Sequence, residues 1–506
     1  MEGPVPPEQA EQIRFTLSAI IVEGATVYTD GELLPLYEKY LGQEISLQTI
    51  YDIAGAITAK YGDDGYALSR AIVGAQRING GVVHIQIIEG FIDKVIIEGP
   101  TSSSRSFFKD FEDKVLSSKP LNASVLERYL LLANDLPGLD VKSVLKPSAD
   151  TPGASTLIFT VEEKMVDGSA SVDNRGTKST GPTQISLGGG VNNLLGLYER
   201  TSLNFTRTGQ ASEMRYVALS HEQTLTSEGL KLIVSGNQSN SKPGTQILRD
   251  LELESKSQSL SAALSYPVIR SRAENLSVSG TFSYKNSWSK QLGEKTSQDR
   301  LRVVKLGGSY DRADSWQGIN QVGMEVHQGL KVLHSTDNTN PIPSRTAGRT
   351  NFTKLTASAS RTQQLPSNFA LHVAAMGQWS AHRLLSSEEC GIGGEQFGRA
   401  FDSSEITGEH CAAGSTEVRY TPQLDVPYLK YAQFYGYYDF GQVIDISPVN
   451  EKKSETAASA GGGIRFGVTD YISGSMDITK PLTRPVASRG QEGNDWRAFF
   501  RLGTNF

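Results

Sequence analysis

Two periodicities divide this chain. From about residue 12 to 165, apolar positions fall at the helical spacing or in short strand-like runs; from residue 166 onward they alternate one by one with polar positions. In the first part, FTLSAIIVEG reads as a strand, and Thr29-Asp30-Gly31-Glu32 has the capping-box spacing that starts a helix. A second helix follows from Ser46, with Ile50, Ile53, Ala54, Ile57 and Tyr61 on one face and Gly62 as its stop. YALSRAIV and GVVHIQIIEG then read as paired strands. The same order returns in IDKVIIEGP, SRSFFKDFEDKVLSS, NASVLERYLLLANDLPG, VKSVLKPS and STLIFTVEEK. A β-α-α-β-β plan of roughly 75 residues is thus used twice.

Beyond Met165 the period is two. Leu276, Val278, Gly280, Phe282 and Tyr284 oppose Ser277, Ser279, Thr281, Ser283 and Lys285, and similar faces recur at 230–235 and 371–380. At the C-terminus Trp496, Ala498, Phe500, Leu502, Thr504 and Phe506 share a face, against Arg497, Phe499, Arg501, Gly503 and Asn505. Segments of about ten residues with one apolar face fit a lipid-facing β-barrel with a polar lumen. Such a barrel crosses a bilayer without any apolar helix of about 20 residues, because a closed sheet satisfies its own backbone. Long polar inserts such as TRTGQASE, NQSNSKPGTQILRDLELESKS and HSTDNTNPIPSRTAGRTN alternate with short links such as SYPVIRSRAEN, as outer loops alternate with periplasmic turns. A soluble β-sandwich, β-helix or propeller is the competing pattern.

The chain has 506 residues, a net charge of −6 and 50 glycines. Without a basic run, this charge argues against nucleic-acid binding. MEGPVPPEQAEQ lacks the charged start and apolar core of a secretory signal. The seven histidines show no ligand spacing, so no metal or cofactor is expected. Ser287-Trp288-Ser289-Lys290 fits Ser-x-x-Lys without its companion motifs and reads as a strand end.

The stretch SASVDNRGTKSTGPTQISLGGGVNNLLGLYERTSLNF from Ser169, with its Asn-Arg-Gly and Asn-x-x-Gly elements, resembles the first barrel strands of the two-partner secretion transporters, the TpsB or haemolysin-activation family. The repeated unit resembles the POTRA domain, and the terminal Phe506 matches the signal by which outer-membrane barrels are recognised for insertion. The fold this implies is a transmembrane β-barrel of 16 antiparallel strands preceded by two periplasmic α+β POTRA domains. Residues 1–11 form a Pro-rich remnant or linker, 12–90 POTRA 1, 91–165 POTRA 2 and 166–506 the barrel, with a long loop 383–418 folded into the lumen. Family members carry a pore-plugging N-terminal helix, whereas here about a dozen residues, including Pro4, Pro6 and Pro7, precede the first unit. Either the plug was cut away or the protein lacks it, and Met1 without a signal favours the former.

The resemblance also gives the long loop a role. Its Val-Arg-Gly-Tyr/Phe motif is matched by Gly398-Arg399-Ala400-Phe401, with glycine and alanine where the family has valine and glycine. The partner motif on the wall is matched by Asp439 and Gly441. Asp439 shares parity with Gln433, Tyr435 and Tyr437, opposite the lipid-like Phe434, Tyr438 and Phe440, so it faces the lumen. A guanidinium matches a carboxylate two bonds at a time, which suits Arg399 to pinning the loop there. Cys390 and Cys411, the only cysteines, flank the motif with 20 residues between them. In an oxidising compartment they are expected to bond and close the loop base, worth roughly 3 kcal/mol.

The function implied is an outer-membrane pore that takes one cognate exoprotein, unfolded, through its POTRA domains and passes it to the cell surface, without enzymatic activity. Its other expected partners are outer-membrane lipid and, during biogenesis, the barrel-assembly machinery. The alternatives are a barrel-assembly factor of the same superfamily, a porin-like channel, and a barrel hydrolase.

Overall fold

In the computed structural model the chain separates into two compact units, Met1–Glu163 and Lys164–Phe506. The structure describes residues 6–99, 105–148, 151–210, 213–336, 341–446 and 454–506. Pro4, the ends of two expected elements at Pro100 and Ser104, and loop residues 211–212 and 337–340 lie outside the described residues.

The first unit uses one plan twice. In one sheet Val82–Ile88 lies between the parallel Ala19–Glu23 and the antiparallel Arg70–Ile72. In the other Ala154–Glu163 lies between the parallel Phe91–Glu98 and the antiparallel Leu139–Pro147. Helix Leu47–Asp63 buries Ile50, Ile53, Ala54, Ile57 and Tyr61, the face its spacing predicts. Helices Arg105–Ser117 and Ala123–Asn134 occupy the corresponding place in the second sheet's module.

Three local expectations change. The capping box at Thr29 forms, with Glu32 accepting from the Thr29 N–H at 2.9 Å, but the α-helix stops at Leu33. Pro35 lacks the N–H that would continue the ladder, and two 3-10 turns follow instead. Gly62 is not the stop of the second helix; the chain turns at Gly65, whose φ of +93° favours glycine. Pro7–Ala10, within the expected linker, is a helical turn with Ala10 buried.

Glu89 closes one end of the first module. Its carboxylate accepts from Thr26 N at 2.7 Å, Val27 N at 3.0 Å and the Tyr61 hydroxyl at 2.8 Å, and from the Thr26 hydroxyl. Burial opposes ionisation, but these donors together hold the Glu89 carboxyl below its ordinary value. A depressed carboxylate pKa contributes stability above the ordinary glutamate range, which is lost as pH falls through the lower folded value. Glu89→Gln is therefore expected to speed amide exchange at 26–28 at neutral pH by several-fold. The gap from the parent chain should close as pH drops below about 4; an equal gap at both pH values would contradict this account.

The second unit is the barrel. Among the described residues sixteen antiparallel strands close between Val166 and Asn505, with Arg497–Asn505 pairing back onto Val166–Asp173. At this seam the backbones of Phe506 and Gly168 exchange two hydrogen bonds of 3.0 Å. The Phe506 ring lies 2.3 Å from where a Cβ on residue 168 would sit, so the closure needs glycine there. Alternation sets the faces: Phe434, Tyr438 and Phe440 are exposed outward, and Tyr435, Tyr437 and Asp439 are buried inward. Connections 242–253, 330–352 and 381–409 crowd one end, and the short turns 225–230, 271–273, 314–317 and 365–368 lie at the other, together with both ends of the barrel chain.

Candidate functional site

The connection between the wall strands Phe369–Ser380 and His410–Tyr420 turns back into the barrel. It spans 381–409 rather than 383–418, because residues 410–420 pair along the wall with both neighbouring strands. Inside it, Cys390–Ile392 and Ile406–Gly408 form a hairpin that carries a tip of residues 393–405. Cys390, Ile392, Phe401 and Ile406 pack with Ala413, Val443 and Ala457 of the wall into one buried cluster. Cys390 is bonded to Cys411, with the two Cα atoms 6.1 Å apart. Since Cys411 belongs to a wall strand, the disulfide ties the hairpin to the barrel instead of closing the loop's own base.

Arg399 reaches the wall from the tip. Its backbone N–H and Nε each donate to Asp439 Oδ2 at 3.0 Å, and Nη2 donates to Asp439 Oδ1 at 2.9 Å. Nη2 also donates to Ser415 Oγ at 2.9 Å, and Nη1 pairs with Glu417. The guanidinium carbon lies 3.3 Å from the centre of the Tyr437 ring. Asp439 is fully buried and is held further by the Ser415 hydroxyl at 2.7 Å. A buried carboxylate and guanidinium with all these partners form a satisfied network; either alone would be costly. Gly398 takes φ +79°, and Ala400 and Phe401 are buried beside it. Gly441 stands where the hairpin presses on the wall: a Cβ there would lie 2.6 Å from Ile392 Cδ1.

Several partners carry no signal in the motif itself. Glu417, 2% exposed, holds Arg465 at 2.8 Å and Arg419 at 2.7 Å besides Arg399. Arg175 donates to the Arg399 carbonyl at 3.2 Å, and Arg497 to the Ala400 carbonyl at 2.6 Å and to Asp402 at 2.7 Å. Phe499 lies under both guanidiniums, 4.2 and 4.7 Å from their carbons. At the loop base Arg345, from the long connection 330–352, pairs with Glu389 at 2.8 Å, Asp445 at 3.1 Å and Glu409. Across the lumen a cavity of ≈ 700 Å³ adjoins one of ≈ 580 Å³, both bounded by Gln396 and Phe397 of the tip. Ser287 and Lys290 sit three residues apart on one strand, on opposite faces, so they do not form a Ser-x-x-Lys pair.

Comparison with known proteins decides the family. The haemolysin secretion/activation description ShlB/FhaC/HecB matches residues 153–466, and the ShlB-type POTRA description matches 15–90. The chain belongs to the haemolysin secretion/activation family. The heme/hemopexin transporter protein HuxB of Haemophilus influenzae strain 86-028NP is 24% identical over 96% of this chain and 87% of its own length. The outer membrane transporter CdiB of Dickeya dadantii is 26% identical over 93% and 84%. The solved structure of CdiB from Escherichia coli shares the fold with a TM-score of 0.79 at 22% identity, covering 100% of this chain and 93% of that one. The protein is thus an outer-membrane transporter of two-partner secretion, which moves a partner exoprotein across the outer membrane. Its POTRA domains lie in the periplasm, so the short turns face the periplasm and the long loops the cell surface.

Proposed function

We propose that this transporter exports its cognate exoprotein as an extended chain, captured by strand addition in the periplasm and admitted when the Arg399 loop leaves the lumen. Residues 12–90 and 91–165 act as the two POTRA domains and 166–506 as the pore. The observation that carries the reading is the Arg399 network. It fastens the loop to one wall through two carboxylates, a stacked tyrosine and two backbone clamps, so an open passage requires an exchange of those bonds. Arg399, Asp439 and Gly441 are latch residues in this reading, and no catalytic group is assigned. Phe506 serves insertion by the barrel-assembly machinery.

For capture, the second module offers the outer edge of Leu139–Pro147, which no further strand covers among the described residues. Asn134 satisfies both backbone groups of Val141 on that edge, at 2.8 Å each. Alternation then turns the backbone groups of Ser143 and Leu145 outward as well, and Pro147, which has no N–H, occupies the next outward position. An extended segment can add there through main-chain bonds with little demand on its sequence. The double substitution Ser143→Pro/Leu145→Pro removes the outward donors without touching the inner ladder. Secretion should fall at least about tenfold while the barrel still folds; undiminished secretion would exclude this edge. Deleting the gene should remove one large exported protein and leave other barrels unchanged, whereas general depletion of barrels would indicate an assembly factor.

A further inference from the structure

On the outward face of four long strands, Met214–Thr224, Lys231–Ser241, Glu254–Arg270 and Glu274–Gln291, and on the adjoining Glu294–Ala313, the side chains change character toward the cell surface. Residues directly opposite one another in neighbouring strands share a face, so the register can be read in rows. One row is Leu219, Gly236, Leu260, Tyr284 and Arg302: Leu219, 53% exposed, and Leu260, 55% exposed, are lipid-facing surface, while the row ends at Arg302, which is buried against the Tyr284 ring. Two residues further out the row is Val217, Gln238, Gln258, Asn286 and Arg300, and Gln258 bonds Gln238 at 2.7 Å. Beyond that come Arg215, Asn240, Lys256, Trp288 and Gln298. Lys290, one step higher, lies 5.2 Å from the centre of the Trp288 ring.

Apolar, amide and cationic rows therefore succeed one another on a single face. Lys256 stands four residues beyond Leu260, about 13 Å along the strand and about 10 Å along the membrane normal at a tilt of about 40°. That is the depth of the headgroups, just above the hydrocarbon. Among the described residues none of Arg215, Lys256 and Arg300 pairs with a carboxylate; Lys290 stands directly opposite Glu254, which lies 3.6 Å from Lys242, and lines one cavity with Glu213, Glu252 and Glu254. Three cations without a carboxylate partner, Arg215, Lys256 and Arg300, with Lys290 above them, five amides and an indole at the water interface match a ligand with phosphates on a sugar core: fixed donors for phosphate, amides for hydroxyls and acyl carbonyls, a ring for the apolar sugar face.

We propose that this face binds the phosphorylated glycolipid of the outer leaflet, with Lys256, Lys290 and Arg300 on its phosphates and Trp288 beneath its sugar. The inference rests on the placement of the barrel in the outer membrane and not on how the exoprotein passes. Native mass spectrometry of the full chain, extracted in mild detergent and incubated with bisphosphorylated lipid A, tests it. The parent protein should retain the lipid, and Lys256→Gln/Lys290→Gln/Arg300→Gln should retain it at least tenfold less. Both should show heat-modifiable migration as folded barrels; should the triple variant not fold, Lys256→Gln and Trp288→Ala singly should each lower retention. Dephosphorylated lipid A should fail to bind, and millimolar inorganic phosphate should not displace the lipid. Equal retention by the folded variants, equal binding of phosphatidylglycerol, or displacement by inorganic phosphate would each overturn the proposal.

Discussion

Arg399→Ala is expected to cut secretion of the exoprotein by an order of magnitude or more while the barrel still inserts and migrates as a folded species. The substitution removes five side-chain contacts at once: two to Asp439, one each to Ser415 and Glu417, and the face of Tyr437. It also leaves Asp439 fully buried with only two serine hydroxyls and the residue 399 N–H as donors. Breaking a buried pair from one side costs roughly 3–5 kcal/mol, and the cost falls on the docked state of the tip. Glu417 keeps Arg419 and Arg465, so the wall itself stays neutralised and the barrel fold is spared. The tip should then wander, raising the ion conductance of the resting pore in planar bilayers. Arg399→Lys should recover little, since an ammonium cannot span both Asp439 oxygens and Glu417 while lying flat on Tyr437. Full secretion by Arg399→Ala would remove the latch from the mechanism, and unchanged conductance would show that the remaining clamps suffice to hold the tip.

Those remaining clamps mark the boundary of what the chain's pattern reveals. Membrane strands advertise their faces because lipid and water enforce alternation, so the inward direction of Asp439 is legible from Phe434, Tyr438 and Phe440 alone. The buried face of Leu47–Asp63 is legible for the same kind of reason, one solvent boundary acting on one period. Arg175, Arg497 and Glu417 are different. Only Arg497 has a face that can be read, opposite Trp496, Ala498 and Phe500; the convergence of all three on one loop tip depends on the closure that sets the first strand beside the last and brings residue 175 within reach of residue 399. Local pattern holds no record of that closure. The loop limits failed for a related reason: Cys411, Ala413, Ser415 and Glu417 alternate inward as wall, yet their small and polar character reads as loop when the facing strand is unknown. The same uncertainty moved Cys411 from the loop base to the barrel, which turns the disulfide from a clasp within the loop into a tether between loop and wall.

That tether divides the loop into a fixed base and a movable tip, and Gly441 is where the base is seated. Ile392, 1% exposed, projects into the space that a side chain at 441 would fill, with its Cδ1 and Cγ2 2.6 and 2.7 Å from an added Cβ. Neither atom can retreat easily, because Ile392 is packed among Phe401, Ile406 and Val443. Gly441→Val should therefore lift the hairpin off the wall, at a cost of the order of 1–3 kcal/mol for overpacking a tight contact. Cys390 and Cys411 still hold one corner, so the displacement should pivot about the disulfide and carry the tip, and with it Arg399, away from Asp439. The expected phenotype is a leaky pore: raised single-channel conductance and entry of large antibiotics normally excluded by the outer membrane. Gly441→Val combined with Cys390→Ser/Cys411→Ser should be leakier still, because the seat and the disulfide are then both gone and the Arg345 pairs are left to hold the base. If Gly441→Val conducted no more than the parent while folding normally, the hairpin base would not control the passage, and gating would reside in the tip contacts alone. The contrast with Arg399→Ala is then informative: one variant frees the tip with the base seated, the other unseats the base. Only a passage blocked by the whole loop responds to both.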